Sequence, residues 1–586
     1  MRVALVANLN LSGLQVRQAE PVLDSLVPPL GLLSLAAVIQ ASGHQAVIID
    51  PNYEIDRGAI SLGREFVAQT IDAVLAEKPD LVGFSTMCNS FHITLRLAER
   101  LKALCPDLAN LLGGPQVSFV DQETLAVFPF IDFVLRGEAE TSLPAFLRAL
   151  DGLVPYAQIP GLSYRSAGAV VRNPPPLPVD DLDALPFPAW HLFRYDVQGA
   201  YSIDVGRGCP FACKFCSTSS FFQRRFRLKS FDRLIGEIRW LQQNYHAAAI
   251  TFVHDLFTAN RKWVRALCER LLREDNLQFA WSASARIDTV DEALLDIMGR
   301  AGCRALFYGI ETGSPRLQRD VGKRLKIGSV VPITAATICA GIDPTLSFIA
   351  GFPTETAADL QATFELIDQL LTFSEANVQL HLMSPQSGTP DYVEFFSALR
   401  RDGYYSDIAN GSPTLFELEW FTKHPELFPS FYYYDNPQLP RELLRGADQF
   451  VRLPAANMRY TMRRLRSAGH GLWDVYVAWK HWGQGAAARD TRAGSQYSPM
   501  LAGARTNARP AQAEAAGLAP DEYLLDFAEF AHDFCRARGI DNDEGEARDE
   551  IIAFYLRHYH RLEVHSTRPV TAVAVPSTAL IEEVVT

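Results

Sequence analysis

Residues 202–216 read SIDVGRGCPFACKFC, a short β-type run that ends in glycine and leads into three cysteines, Cys209, Cys213 and Cys216, spaced C-x-x-x-C-x-x-C. The 586 residues hold nine cysteines in all. The other six, Cys88, Cys105, Cys268, Cys303, Cys339 and Cys535, have no metal-like spacing and read as core or surface thiols. So sparse and odd a set argues against a disulfide framework. Three thiols on one loop are one short of a structural zinc cage, and no histidine stands at finger spacing nearby. The trio suits a [4Fe-4S] cluster with one iron left open, a low-potential electron donor to whatever binds there.

Downstream of this run the pattern repeats. AAITFVHD (248–255), FAWSASAR (279–286), ALFYGIET (305–312), TLSFIAGFP (345–353) and NVQLHLMSP (377–385) read as five further strands. Between the first two strands, Ser230 is a plausible N-cap for a helix that places Phe231, Leu234, Ile235, Ile238 and Leu241 on one face. Six βα units predict an incomplete barrel or an open sheet with functional groups at the carboxyl ends of the strands. The cysteines, His254-Asp255, Ser284 and Arg286, Glu311-Thr312, Gly351-Phe352-Pro353 and Met383 to Pro385 all stand at those ends.

Upstream, RVALVAN (2–8), QAVIID (45–50), DLVGFST (80–86), LANLLGG (108–114) and DFVLRGE (132–138) alternate with helical patterns near 30–42, 61–77, 90–104, 120–128 and 141–150. That repetition predicts a doubly wound parallel sheet covered on both faces. Ser85-Thr86, Gly113-Gly114-Pro115 and Gly137-Glu138 stand at its carboxyl edge, where ligands of such sheets bind. The domain plan is therefore 1–150, a proline-rich connector at 151–197, a second α/β unit at 198–390, and a mainly helical, aromatic region at 391–586 with a mobile insertion at about 484–519. The run Phe431-Tyr432-Tyr433-Tyr434 reads as core.

Lys and Arg number 55 against 67 Asp and Glu, a net charge of −12, and no basic block is long enough to track phosphates, which argues against nucleic acid as main partner. The opening MRVALVANLNLSG is too short for a signal segment, and no run of 18 apolar residues occurs, so the expectation is a cytoplasmic protein without a membrane span.

The cysteine loop and its strand series resemble the radical S-adenosylmethionine (SAM) superfamily over about residues 198 to 390. The resemblance implies a partial (β/α)6 barrel of TIM type whose open iron binds SAM and whose single electron yields a 5′-deoxyadenosyl radical. It implies Cys209, Cys213 and Cys216 as cluster ligands, Phe215 near the adenine, Ser284 and Arg286 as SAM contacts, Glu311 toward the ribose hydroxyls and Gly351 at the nucleoside. In place of the family's Gly-Gly-Glu stretch this chain has Phe252-Val253-His254-Asp255, with Asp255 as substitute acceptor for the SAM amino group.

Residues 1 to 150 are similar to the Rossmann-like, flavodoxin-like cobalamin-binding domain of the cobalamin-dependent branch. Ser85, Thr86, Gly113, Gly114, Pro115, Gly137 and Glu138 are then its cobalamin contacts. No D-x-H-x-x-G motif occurs, so no histidine of this domain is expected on cobalt, and His44, His92 and His254 read as structural. The combination implies a C-methyltransferase that acts on an unactivated carbon of a natural product, lipid or peptide, served by methylcobalamin and by an electron donor such as flavodoxin or ferredoxin. An oxidative cyclase or rearrangement enzyme, and a cobalamin and iron–sulfur binding protein without turnover, are the alternatives.

Overall fold

The computed structural model describes residues 1–10, 26–195, 200–274, 276–409, 415–486, 520–540 and Glu550. The expected insertion lies mostly outside them, as do the last residues from Pro569 on. Two α/β units, the first with a mixed sheet and the second with a parallel one, stand side by side, and the C-terminal region packs across both.

The first sheet contains β1 (Arg2–Val6), β2 (Gln45–Ile49), β3 (Leu81–Ser85), β4 (Ala109–Gly113), β5 (Phe133–Leu135), β6 (Leu162–Ser166) and β7 (Ala169–Arg172), in the order β2-β1-β3-β4-β5-β6-β7. The strands β1 to β5 are parallel, and β1 lies between β2 and β3. Chain direction switches there, which opens a crevice at the carboxyl edge. Helices at Leu30–Ala41, Phe66–Ala76, Phe91–Leu104, Asp121–Val127 and Leu143–Leu150 occupy the expected stretches. The helix 91–104 buries Phe91, Leu95, Ala98 and Leu101.

The connector differs from its sequence reading. Residues 162–172 are not irregular; they form the hairpin β6-β7, which adds two antiparallel strands to the first sheet, Leu135 opposite Leu162. Its tight turn places Ala167 and Gly168 at φ of 49° and 81°, the left-handed pair that a two-residue hairpin requires.

The second sheet contains β8 (Ala200–Asp204), β11 (Ala249–Val253), β12 (Ala280–Ala285), β13 (Cys303–Glu311), β14 (Asp343–Ala350) and β15 (Asn377–Leu382), all parallel and in chain order. Between β8 and β11 a short ladder pairs β9 (Gly206–Arg207) with β10 (Arg227–Leu228). Residues of one parity, among them Ile203, Phe252, Trp281, Tyr308, Phe348 and Leu380, are buried against the helices. The other parity carries Thr251, Val253, Ser282, Ser284, Phe307, Gln379 and His381 on the concave face. There Val253 and Phe307 are each 42% exposed, so the inside of this sheet is an open trough.

Ser230 caps the helix Phe231–Tyr245, accepting from Arg233 N at 3.2 Å, and Leu234, Ile235, Ile238 and Leu241 are buried as the spacing predicts. The C-terminal region is mainly helical, with one small antiparallel pair, β16 (Leu399–Arg400) and β17 (Tyr433–Tyr434). Phe431 and Tyr434 are buried core residues, as read. Phe421 and Phe431 pack edge-on to the His92 ring, and Gln116 donates to Leu427 O at 3.0 Å. No helix among the described residues is long and apolar enough to cross a membrane.

Candidate active site

The cysteine loop starts where β9 ends, and its backbone fixes it. Gly208 sits at φ 86°, where a Cβ would lie 1.9 Å from Arg225 O, so only glycine passes this point. Its N–H donates to Asp255 Oδ2 at 2.8 Å. Farther along, Lys214 N donates to Val321 O at 3.0 Å and Asp391 N to Lys214 O at 3.2 Å. The loop is thus tied to the end of β11 and to the helices that follow β13 and β15.

Cys209, Cys213 and Cys216 are each half-buried and unbridged. Burial raises the Cys209 thiol and pushes that of Cys213 up to about 11, with Arg286 opposing the rise at both and Lys323 at Cys213. Ligation to iron would displace those protons, and the two cations would offset thiolate charge. Among the described residues no three His, Cys, Asp or Glu side chains converge on a single-ion site. A cubane spreads its thiolates around separate corners, so this sulfur-only donor set fits a cluster.

Arg286 is a buried side chain, not a surface one. Its guanidinium lies 4.1 Å from the Phe211 ring centre, inside the cysteine loop, and donates to Asp288 at 2.7 and 3.0 Å and to Lys323 O. Cation and ring together pin the loop against β12. Ser284 stands on the concave face of β12, in register with Phe307. Glu311, last residue of β13, is buried at φ 70° and is paired with Lys323 Nζ at 2.5 Å. Phe215 meets Phe352 edge-to-face with centroids 5.4 Å apart, which joins the cysteine loop to the Gly351-Phe352-Pro353 turn. Gly351 itself has φ 98° and donates its N–H to Glu355 Oε2 at 2.5 Å. Asp255, expected near the SAM amino group, uses one oxygen to hold Gly208.

At the edge of the first sheet, Thr86 Oγ1 donates to Gly113 O at 2.8 Å and accepts from Val117 N at 3.2 Å. Gly114, at φ 105°, brings its Cα so close that a Cβ would lie 2.7 Å from Thr86 O. Pro115 starts the helix Pro115–Phe119, and Gly137 N donates to Ser118 Oγ at 2.9 Å. Gly114 and Gly137 are thus packed closely against Thr86 and Pro176, and with Ser85, Thr86, Gly113 and Pro115 they form one crest with little side-chain bulk at the carboxyl edge of the sheet.

Glu138 serves between the units. It pairs with Arg207 and Arg227, both at 2.8 Å, while Arg207 also reaches Glu140 at 2.7 Å and Asp204 at 2.9 Å. Phe119 meets Phe221, just past the cysteines, at 6.4 Å between centroids. The crest and the thiol loop thus face each other.

Sequence reading missed Lys323, Glu355 and Arg207, which are brought to the site by the fold and carry no motif of their own. It also missed His381, Asp407 and Arg452, although the alternation of Asn377, Gln379 and His381 in NVQLHL marks a polar strand face.

Residues 22–147 match the family described as B12 binding domain, and residues 203–367 match the Radical SAM superfamily. An uncharacterized methyltransferase of Pyrococcus horikoshii is 32% identical over 350 residues, 58% of this chain and 73% of that protein. The anaerobic magnesium-protoporphyrin IX monomethyl ester cyclase of Rubrivivax gelatinosus is 27% identical over 352 residues, 58% of this chain and 61% of that protein. Among solved structures, the cobalamin-dependent S-adenosylmethionine radical enzyme OxsB with aqua-cobalamin bound superposes with a TM-score of 0.60 at 14% identity, covering 95% of this chain and 84% of its own.

Proposed function

The chain belongs to the cobalamin-dependent radical SAM enzymes, and from that premise we propose that it is a C-methyltransferase acting on an unactivated carbon of a small molecule, lipid or peptide. When bound, the cluster, SAM and cobalamin would supply the electron, the hydrogen-abstracting radical and the methyl group. The chain's own part is placement. Cys209, Cys213 and Cys216 would hold iron, with Arg286 and Lys323 as nearby positive charge. Phe215, Glu311 and Gly351 would receive the nucleoside, and the crest from Ser85 to Gly137 the corrinoid.

The observation that carries the reading is the ion pair of Glu138, next to Gly137 of the crest, with Arg207, two residues before Cys209, which brings the two edges together. Methyl delivery to a short-lived carbon radical needs both cofactors at one cavity, since held proximity makes the transfer effectively unimolecular. The P. horikoshii methyltransferase supports the same reading. A cyclase is the second reading, favoured by the R. gelatinosus relative. A one-electron donor such as flavodoxin or ferredoxin would serve either.

The test uses anaerobic, reconstituted enzyme with dithionite, methyl-deuterated SAM and a deproteinised cell extract. Methyl transfer predicts deoxyadenosine together with S-adenosylhomocysteine and a product carrying the deuterated methyl group. Deoxyadenosine without the other two favours the cyclase. Cys209→Ala is expected to lower deoxyadenosine release at least a hundredfold, and undiminished release would refute the assignment of the thiols.

A further inference from the structure

Outside the cysteine site, the described residues hold one other built cluster of titratable groups on the concave face of the second sheet. We propose that His381 is a substrate-positioning residue whose Nε2 hydrogen-bonds a hydroxyl or other polar group of the substrate. The inference rests on the radical SAM reading and narrows its substrate to molecules with such a group near the reacting carbon.

The register fixes the placement. His381 pairs with Ile349, Gln379 with Ser347 and Asn377 with Thr345, and Thr345 in turn with Phe307. The three polar residues of β15 therefore line the same trough as the exposed Phe307 and Val253. The trough carries exposed apolar Val253 and Phe307 on β11 and β13, the hydroxyls of Thr251, Ser282 and Ser284 beside them, and the amide and imidazole groups of β15 at its far side. His381 lies toward the carboxyl end of its strand, opposite Ile349 and two residues before the Gly351 turn in register.

The ring is held in place. Asp407 lies with its oxygens 3.0 and 3.1 Å from Nδ1, and Arg452, which donates to Asp407, brings its Nη2 to 2.5 Å from that same nitrogen. All three side chains are largely buried, with 18%, 10% and 15% of His381, Asp407 and Arg452 exposed. Asp407 can only accept and Arg452 can only donate, so the tautomer follows whichever of them holds Nδ1, and in either form Nε2 is left to a polar group outside the cluster. Among the described residues Nε2 has no partner, yet it is not sealed from solvent. Arg452 belongs to the π-turn Val451–Ala455, a distortion that Pro454 inside it imposes. A cluster that only tied the C-terminal region down would not need a ring on the trough face with its second nitrogen free.

The test uses the holoenzyme, with methyl-deuterated SAM and the deproteinised extract as probe, and reads the deoxyadenosine that the extract adds over an extract-free control. His381→Ala is expected to load cluster and corrinoid to wild-type absorbance but to lose at least tenfold of the extract-dependent release. His381→Asn, whose carboxamide can donate or accept a hydrogen bond, is expected to recover part of it, and Asp407→Asn to lose less than the alanine variant. Extract-dependent release equal to wild type in His381→Ala overturns the proposal, including the case in which the extract adds nothing to either protein. So does failed cofactor loading in both His381 variants, which would make the residue a structural prop. If the wild type shows extract-dependent deoxyadenosine without a deuterated methyl product, the methyltransferase reading falls while the comparison at His381 still decides this one.

Discussion

Glu355 is fully buried, with Oε2 accepting from Gly351 N and Phe352 N and Oε1 without a partner. Burial raises its carboxyl to about 8, against the pull of those two amides. A carboxyl with a raised native pKa holds its proton while the unfolded chain has already lost it. Stability is therefore full below the unfolded value near 4.5 and declines as pH climbs toward 8. Each tenfold change in proton affinity is worth about 1.4 kcal/mol, which puts the loss on the order of 4 kcal/mol by pH 8. Glu355→Gln keeps an oxygen for the two amides and removes the titration. Its melting temperature should match or fall below wild type at pH 5 and exceed it at pH 8. Parallel melting curves across that range would show that the carboxyl is ionised in the native state. At this scale the sequence displays what is local: three cysteines within eight residues announce themselves, whereas Lys323 reaches Glu311 and Glu355 supports Gly351 only because helices and turns bring them there.

The helix Phe231–Tyr245 carries its start signal in the chain, and the structure uses it: Ser230 caps Arg233 N. Ser230→Ala should cost about 1 kcal/mol, measured by urea denaturation, with no change in deoxyadenosine release because the cap lies away from the thiol loop. Strand periods of two and helix periods near 3.6 made both α/β series legible, since each element buries one face against its neighbour. The hairpin β6-β7 was illegible for a specific reason. Its turn uses Ala167-Gly168, and alanine at positive φ gives none of the Asn-Gly signal that marks such turns. The surrounding prolines point the other way. The His381 cluster escaped for another reason: Asp407 lies 26 and Arg452 71 residues along the chain, and no spacing rule spans such distances.

Across the whole molecule, the two units meet through Arg207, which is held by Glu138 and Glu140 of the first unit and Asp204 of the second. Removing one partner of a buried ion pair leaves uncompensated charge and costs about 3–5 kcal/mol. Arg207→Met should therefore lower the melting temperature clearly, and it should lower cluster content too, because Gly208 and Cys209 follow directly in the chain. Unchanged stability together with unchanged iron content would show that the network is incidental. The same residue limits modular engineering. A chimera that grafts a foreign corrinoid module onto this barrel would need acids in place of Glu138 and Glu140, or the guest would dock without its electrostatic key and its macrocycle would sit askew from the iron it must serve.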